Sequence, residues 1–319
     1  MHHDTVIIGG GMGGVVAAAH LLAEGSPSVA IIDPGNLGAS FQGGLRYLRD
    51  NPAMRALLDR WGVLHASETV KGGILSPKGR VLPYPEGVGE HLEDAQRLHY
   101  LKTRGTLDGY TGREMNFGGG GARLNCDLHR FIGKVASCPR FTHYRTNAVL
   151  VSGPMVSLGN RRWVEGKRII STIPLPVLAR LLQLEPHEAP TCPHRVLHVG
   201  SLPLHGGNAA LGHFDYTYTP WLKAIHRVHP APRKGTLEVE WNSAKGEEEP
   251  EEALSDDLGR IGWAGHTLDW RTLPGHLLPV EWGTWRPEAP LYLLGRFAQW
   301  DSRMTVDKVA STLADRSMS

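Results

Sequence analysis

The sequence predicts a mixed α/β protein in which both chain ends build one Rossmann-like unit and the middle carries an antiparallel sheet. Three stretches support this prediction: a strand, glycine turn, helix and strand over 4–33, alternating polar and apolar residues over 195–241, and a strand, glycine and helix over 291–314. Apolar runs that lead into a glycine turn are typical of buried parallel strands, and a period of two is typical of a strand with one buried face.

The first stretch opens with the apolar run Val6-Ile7-Ile8 and continues directly into Gly9-x-Gly11-x-x-Gly14. Gly9 permits a tight turn, Gly11 lets the backbone approach a pyrophosphate, and Gly14 lets the helix pack closely. The helix N-terminus offers N–H groups and a positive dipole to phosphates. A second apolar run ends at Asp33, which would accept hydrogen bonds from a ribose. This order predicts a dinucleotide site, with NAD and FAD both open.

A glycine-punctuated loop runs from Pro34 to Arg49 and contains the step Gly43-Gly44-Leu45-Arg46. A loop directly after the ribose-binding strand lies along the dinucleotide, so Arg46 could pair with the pyrophosphate through its bidentate fork. An ordinary surface arginine is equally compatible with this position. Further along, Gly118 to Gly121 cannot form core, and loop mobility is favoured over a hinge or a close approach to a ligand.

The middle of the chain alternates helices with short strands. Helices are predicted over Asn51–Trp61, Glu86–Leu101, Asn125–Ala136 and Val177–Leu184. Hairpins are predicted over Lys71–Tyr84 and around Gly159-Asn160, and a buried strand over Ile169–Ile173. The chain then closes with the strand Leu291–Leu294, Gly295-Arg296 and a helix from about Thr305 to Ala314. If this last strand joins the N-terminal sheet, Gly295 and the final helix lie beside the dinucleotide.

Composition excludes several classes of protein. The formal net charge of +2 sets no strong preference for nucleic acid or an anionic membrane, and no apolar run has the length of a membrane span. Three cysteines without a CxxC fit a reducing cytoplasm better than a disulfide framework. Cys192-Pro193-His194 and the nearby histidines lack an HExxH or a paired CxxC, so no metal site is predicted.

Taken together, the chain resembles the flavoprotein group that contains amine oxidases, protoporphyrinogen oxidase and UDP-galactopyranose mutase. The pieces that carry the resemblance are Val6–Asp33, Gly43–Arg46, Ile169–Leu178, Tyr292–Trp300 and, for the mutase branch, Tyr216–Pro220 and His226–Val228. They span the chain, although contiguous similarity is patchy. The mutase's histidine-bearing glycine motif is absent, since Gly-Gly-Leu-Arg stands in its place, and this argues against a straightforward sugar mutase.

The resemblance implies FAD as the cofactor. By the family pattern Asp33 binds the adenosine ribose, where the group more often has Glu, Val149 lies near the adenine, and Arg46 and Arg296 lie near the phosphates. The helix that begins near Thr305 would face the pyrimidine end of the flavin. The full set of implied FAD-binding residues is Gly9, Gly11, Met12, Gly13, Gly14, Asp33, Pro34, Gly43, Gly44, Leu45, Arg46, Val149, Gly295, Arg296, Met304, Thr305 and Val306.

The implied fold class is α/β: a Rossmann-like FAD-binding domain formed by both chain ends, with an inserted α+β substrate domain that contains an antiparallel sheet. The expected parts are the FAD-binding domain at 1–50, 141–185 and 286–319, a helical cap and linker region at 51–140, and the antiparallel-sheet substrate domain at 186–285. The chain is short for an amine oxidase, so the cap is expected to be reduced and the site open to a bulky substrate.

The leading hypothesis is an amine oxidase-like, FAD-dependent oxidoreductase that takes a hydride from a carbon next to nitrogen to flavin N5. The residues expected to contact substrate are Tyr216, Tyr218, Arg227 and Trp300, each of which also has an interpretation as cross-strand packing. The alternatives are a redox-neutral enzyme of the mutase type, with Arg227 on a diphosphate, and a protein that keeps FAD without turnover or acts on a polymer-borne substrate such as a modified nucleobase. The expected partner is a small-molecule or polymer-borne amine; nucleic acid is not indicated, and the oligomeric state stays open.

Overall fold

The structure is a computed structural model of the chain. It describes residues 1–39, 48–84, 88–110, 122–231, 235–243, 251–263, 269–299 and 304–315. The predicted contacts Gly43, Gly44, Leu45, Arg46 and Trp300, together with the glycine run 118–121, lie outside the described residues.

Strands and helices are numbered in chain order. The strands are β1 (His2–Ile8), β2 (Val29–Ile32), β3 (Leu48–Arg49), β4 (His65–Thr69), β5 (Gly72–Leu75), β6 (Val81–Pro83), β7 (Ala122–Cys126), β8 (Phe141–Tyr144), β9 (Ala148–Ser152), β10 (Met155–Leu158), β11 (Trp163–Ser171), β12 (His194–Pro203), β13 (Tyr216–Tyr218), β14 (Ile225–Ala231), β15 (Thr236–Ser243), β16 (Asp269–Leu277) and β17 (Leu291–Leu293). The helices are α1 (Met12–Ala23), α2 (Pro52–Arg60), α3 (Leu92–Arg104), α4 (Leu128–Ala136), α5 (Leu175–Leu181), α6 (Glu251–Arg260) and α7 (Val306–Asp315), with 3₁₀ turns at Gly89–His91 and Gly206–His213.

The chain divides into two compact units, each built from separate segments. Unit 1 comprises Met1–Glu68, Ala122–Cys192 and Pro279–Ser319, and unit 2 comprises Thr69–Gly121 and Pro193–Leu278. Residues 51–140, expected to form one cap and linker region, are therefore divided between the units. Helices α2 and α4 belong to unit 1, while α3 belongs to unit 2.

Unit 1 is organised around a parallel sheet with the strand order β8-β2-β1-β11-β17. The antiparallel strands β9 and β10 extend it from β11. The C-terminal strand joins the N-terminal sheet as expected, with Ile169 paired to Leu291 and Ser171 to Leu293. The carboxyl ends of these parallel strands share one edge, which is where open α/β sheets bind ligands.

Helices α1, α2, α4 and α7 pack into one apolar core in unit 1. Val15 and Val16 of α1, together with Val6 and Ile7 of β1, are fully buried, which explains why this helix is rich in small apolar residues. Asn51 caps α2, since its Oδ1 accepts from the Met54 N–H at 2.8 Å. The same side chain holds α7, because its Nδ2 donates to the Asp307 carbonyl at 3.0 Å.

Unit 2 is built on a sheet with the order β16-β12-β15-β14-β13-β5-β6. Its pairs are antiparallel as the alternation predicted, except that β13 runs parallel to β5. Leu237, Val239 and Trp241 of β15 face an apolar core. The alternate residues of the same strand, Glu238, Glu240 and Asn242, point to the opposite face, here called the polar face, because side chains alternate along a strand.

Three local predictions need correction. The turn at Gly159-Asn160 has four residues, with Arg161 at φ 62° and its N–H bonded to the Leu158 carbonyl. The second strand of that hairpin and the buried strand expected at 169–173 are one continuous strand, β11. The helix expected over 125–136 begins at Leu128, because Asp127 caps it through the Arg130 N–H at 2.9 Å. In the described parts of the chain, no helix has the length and apolar character needed to cross a membrane.

Candidate functional site

The turn between β1 and α1 can be built only with glycine at two positions. Gly9 has φ +108°, and a Cβ there would lie 2.5 Å from Oγ1 of Thr172. A Cβ on Gly14 would overlap the carbonyl oxygen of Gly9. The chain therefore reverses directly above β1, and α1 begins there with the bond from the Val15 N–H to the Gly11 carbonyl at 3.0 Å. An anion beside Gly11 would meet the positive end of this helix.

The Asp33 carboxylate is fixed by the backbone around it. Oδ2 accepts from the Gly10 N–H at 2.6 Å, and Oδ1 accepts from the Gly35 N–H at 2.7 Å. Asp33 stays partly exposed at the carboxyl end of β2, and Pro34 after it is exposed. Each carboxylate oxygen has two acceptor positions, so capacity remains for a ligand hydroxyl beside the two N–H groups.

Thr172 holds the opposite side of the glycine turn, and sequence reasoning did not single it out. Its Oγ1 donates to the carbonyls of Ile8 at 3.2 Å and Gly9 at 3.0 Å. It follows β11, the strand that lies beside β1 on the side away from β2. The position of Thr172 could have been identified from the sequence, because it follows a buried strand. In such sheets, the residue that follows the strand beside the first one lies at the switch point where dinucleotides bind.

The tyrosines predicted as substrate contacts lie together in unit 2 and are buried. Tyr216 is 3% and Tyr218 is 9% exposed, and their ring centroids are 5.1 Å apart. His99 of α3 meets the edge of Tyr218 at 5.0 Å, and Tyr84 lies 6.2 Å from it. Such aromatic pairs stabilise a sheet whether or not they bind substrate, so the contact role of these residues remains a prediction.

Arg227, the third predicted contact, lies across from Tyr218 in the β13–β14 pair. Its Nε donates to Oε2 of Glu240 at 2.8 Å, and its Nη2 lies 2.7 Å from the same oxygen. The Arg227 side chain is one-third exposed, whereas that of Glu240 is 3% exposed. Glu240 was not identified from the sequence, although the alternation over Thr236–Trp241 places it on the same face as Glu238.

Two histidines adjoin the same carboxylate. Nε2 of His226 lies 3.6 Å from Oε2 of Glu240, and Nε2 of His229 lies 3.0 Å from Oε1. Burial lowers the pKa of His226 to about 4, although the Glu240 carboxylate acts in the opposite direction. His226 is therefore neutral at pH 7, with Nδ1 close enough to accept from Nδ2 of Asn242 at 3.4 Å.

The loop between β13 and β14 is held from both sides by buried charge. Asp257 is fully buried and accepts from the N–H groups of Lys223 at 2.9 Å, Ala224 at 2.6 Å and Ile225 at 3.0 Å. Nζ of Lys102 donates to the carbonyls of Thr219, Leu222 and Ile225. Burial lowers the pKa of Lys102 to about 7, and Asp257 acts in the opposite direction.

Metal ligation has no candidate group in the described part of the chain. No three His, Cys, Asp or Glu side chains among those residues are placed to hold an ion. Around Glu240 the guanidinium of Arg227 takes the place next to the carboxylate that a cation would need. The chemistry of this face is that of charge-assisted hydrogen bonds.

The sequence matches the FAD binding domain family over residues 4–197, more than half of the chain. The chain belongs to this family. It is a flavoprotein of the FAD-dependent oxidoreductase group, and FAD is its cofactor. Residues 4–197 include the glycine turn, Asp33 and Thr172, which together form the carboxyl edge of the parallel sheet.

Solved structures with the same fold cover nearly the whole chain. Reduced UDP-galactopyranose mutase matches with a TM-score of 0.65 and 14% identity, covering 98% of this chain and 94% of that one. A fatty acid isomerase from P. acnes matches with a TM-score of 0.65 and 12% identity, covering 98% of this chain and 97% of the isomerase. Putrescine oxidase bound to putrescine matches with a TM-score of 0.58 and 12% identity, covering 99% of both chains. Identities this low show a shared fold. A search of the curated proteins finds no relative of this chain.

The described residues fit FAD where the glycine turn leaves room for it. Added Cβ atoms at Gly13 and Gly295 meet nothing within 4 Å, so the backbone is open to a ligand at both positions. Gly295 has φ +95° and follows β17. Oγ1 of Thr305, just before α7, is buried and has no hydrogen-bond partner within the described ranges. A polar atom of this kind fits a cofactor contact at the end of the chain.

The remaining implied FAD-binding residues have different surroundings. Val149 in β9 is 54% exposed, as a residue that contacts a ligand can be before binding, and Arg296 is also exposed. Met12 is buried in the core, and Met304 and Val306 pack against it, so these three side chains contribute packing next to the turn and α7. Their predicted contacts with FAD remain predictions.

Proposed function

We propose that the protein is an FAD-dependent oxidoreductase that oxidises a carbon–nitrogen bond of an amine-bearing substrate. The observation that carries this proposal is the fold match to putrescine oxidase over 99% of both chains, combined with the glycine turn of unit 1. The chemistry supplied by bound FAD is acceptance of a hydride at N5 from the carbon next to nitrogen.

The protein's own residues divide into two groups in this proposal. Asp33, Gly9 and Gly14 hold the adenosine end of the cofactor in unit 1. In unit 2, Tyr216 and Tyr218 supply an apolar, water-poor wall, and Arg227 supplies a fixed positive charge for substrate orientation. Trp300 is proposed as a fourth residue that contacts the substrate; this rests on the family pattern alone, because Trp300 lies outside the described residues.

The test is anaerobic titration of the FAD-loaded protein with a panel of amines, including putrescine and benzylamine, while the visible flavin band is recorded. Bleaching by an amine, followed by stoichiometric oxygen consumption on admission of air, is the expected result. A protein whose flavin no amine bleaches, while dithionite does, would contradict the proposal. Failure to take up FAD on reconstitution would instead exclude a functional flavin site.

A redox-neutral enzyme is the second candidate, and two observations favour it. The mutase and the isomerase named above both have TM-scores of 0.65, and their names denote reactions without net oxidation. Arg227, paired across strands with Tyr218, would then bind a diphosphate. Turnover of UDP-galactopyranose that requires prior flavin reduction and consumes no oxygen would replace the amine proposal with this one.

The substrate is proposed to be a small amine or an amine borne on a polymer, and no feature of the described residues indicates nucleic acid. A cytoplasmic location is proposed from the cysteines. Cys126, Cys138 and Cys192 are not joined in disulfides, which suits a reducing compartment. Fractionation of the producing cells would test the location directly.

A further inference from the structure

Strand β14 contains an irregularity next to the polar face. The pairing of β14 with β15 shifts register between Ile225 and Arg227, so His226 and Arg227 together oppose the single residue Glu240. In a regular strand two consecutive side chains point to opposite faces of the sheet. The bulge places both beside the same carboxylate, and bulges commonly redirect a side chain next to a functional site.

The carboxylate at the centre of this bulge is in an unusual position for a charged group. Glu240 is 2% exposed, and a buried carboxylate is costly unless its charge is compensated. Arg227 supplies the compensating charge to Oε2, and His229 lies against Oε1. Both oxygens of Glu240 are therefore engaged within the protein, so Glu240 is suited to hold another side chain rather than to bind substrate.

The contact with Glu240 fixes the orientation of the Arg227 side chain. A free arginine side chain has high rotamer entropy, which binding would otherwise have to overcome. Two nitrogens of the guanidinium straddle one oxygen of Glu240, which fixes the plane of the group. The side chain is still one-third exposed. A planar guanidinium held in this way matches a carboxylate or phosphate in two-point geometry.

We propose that Glu240 is a positioning residue that orients Arg227 toward an acidic group on the substrate. The proposal rests on the proposed function, in which Arg227 contacts the substrate, and it adds the substrate class: an amine that also carries a carboxylate or phosphate. His226, neutral beside the same carboxylate, completes the packing around it.

The same face of the sheet provides a matched control. Glu238 lies two residues before Glu240 on β15, and its Oε1 is 3.4 Å from Nη2 of Arg271. This pair also joins one arginine with one glutamate, here across the intervening strand β12, but Arg271 is 42% exposed and no bulge adjoins it. Exposed ion pairs of this kind contribute little, so Glu238→Gln tests the loss of a carboxylate without the loss of a positioning contact.

The experiment uses FAD-loaded wild type, Glu240→Gln, Glu240→Asp, Arg227→Gln, the Arg227→Gln/Glu240→Gln double variant and Glu238→Gln. The probes are two matched sets: L-norleucine, pentylamine and hexanoate, and L-phenylalanine, phenethylamine and 3-phenylpropionate. Amines are followed by anaerobic flavin bleaching, which separates the dissociation constant from the limiting rate. The acids without an amine are followed by their perturbation of the flavin spectrum, which needs no turnover.

Glu240→Gln should weaken binding of the acid-bearing probes about tenfold or more, with little change for the plain amines and in the limiting rate. Glu240→Asp should retain part of the affinity, and the double variant should be no weaker than Arg227→Gln, because the two residues act through one contact. Glu238→Gln should match wild type. Thermal unfolding of each FAD-loaded variant identifies any that fail to fold, and the double variant, with both charges removed, avoids a lone buried charge.

Equal weakening of all three members of a set would show Glu240 to be structural and overturn the proposal. Wild type that binds neither hexanoate nor 3-phenylpropionate would overturn the acidic-group assignment. Failure of the proposed function looks different: no amine bleaches the flavin, while hexanoate or 3-phenylpropionate still perturbs its spectrum in a manner that depends on Glu240.

Discussion

The glycine turn of unit 1 and the polar face of unit 2 are built in opposite ways. The turn uses backbone groups contributed by neighbouring residues, and its decisive positions, Gly9 and Gly14, have no side chain at all. The polar face and the adjoining β13–β14 loop depend on buried charged side chains that come from distant segments: Glu240 on the face, and Lys102 and Asp257 at the loop. A site made of backbone can be recognised from a short motif, whereas a site made of long-range pairs depends on strand register.

The largest effect is expected where a side chain is added to the turn. Gly14→Ala would place a Cβ into the Gly9 carbonyl oxygen, and overpacking against backbone should lower the free energy of unfolding by about 3 kcal/mol. Gly13→Ala is the control, since its Cβ meets nothing within 4 Å. Urea unfolding of the apoprotein should separate the two, with any loss in Gly13→Ala confined to FAD affinity. Equal stability of both variants would show that the turn tolerates side chains.

The second-largest effect is expected for a substitution that tests whether the stability of unit 2 depends on buried charge. Asp257→Asn would replace an acceptor of three N–H groups with a side chain that presents its own donors to some of them, at a cost of about 3 kcal/mol. Asp256→Asn is the neighbouring control, because Asp256 is exposed and bonds Nζ of Lys223. Its cost should stay below about 0.5 kcal/mol. Similar urea midpoints for both variants would contradict the role given to Asp257.

The third prediction concerns acid stability. Burial of the His226 ring lowers its pKa from the ordinary histidine value of 6.5 to about 4. Between these values the unfolded chain binds more protons, so stability should fall by about 3 kcal/mol as pH decreases from 6.5 to 4. Burial is the largest cause of this pKa shift; the charge of Glu240 opposes it, and the charges of Arg227 and Lys102 add to it. His226→Gln should flatten this part of the profile, whereas replacement of the exposed His129 by Gln should not. Parallel profiles for wild type and His226→Gln would refute this assignment.

The smallest effect is expected at Asp33. Asp33→Asn keeps an acceptor for one of the two N–H groups but weakens the predicted ribose contact, so FAD affinity should fall roughly tenfold. Fluorescence of the flavin on titration into apoprotein measures this change. Asp59→Asn, at an exposed carboxylate of α2, serves as the control. An unchanged dissociation constant for Asp33→Asn would mean that the ribose is held elsewhere.

The unit 1 site could be predicted because its signals are local. Gly9, Gly14 and Asp33 lie within one βαβ stretch, and the apolar run Leu291–Leu294 indicated a strand that could join the N-terminal sheet, although its pairing with β11 came only from the structure. Thr172 could have been inferred from the switch point, but its contact with Gly9 required the position of β11.

The polar face could be predicted only in part. Alternation indicated an antiparallel sheet and placed Glu240 on one face, but not the bulge that brings His226 and Arg227 to it. A bulge adds one residue without a composition signal, and it changes which side chains meet. The parallel pairing of β13 with β5 was likewise invisible, since these strands are far apart in the sequence.

The segmented construction of unit 1 has a consequence for protein synthesis. Both segments of unit 2 are complete at Leu278, before Pro279–Ser319 has been made. Until then β11 lacks its neighbour β17, and α1 lacks the packing of α7. Since domains fold as their segments emerge from the ribosome, the inserted unit can fold first and the cofactor-binding unit last. A nascent chain therefore completes the sheet and helical packing of unit 1 only when its C-terminal strand and helix arrive.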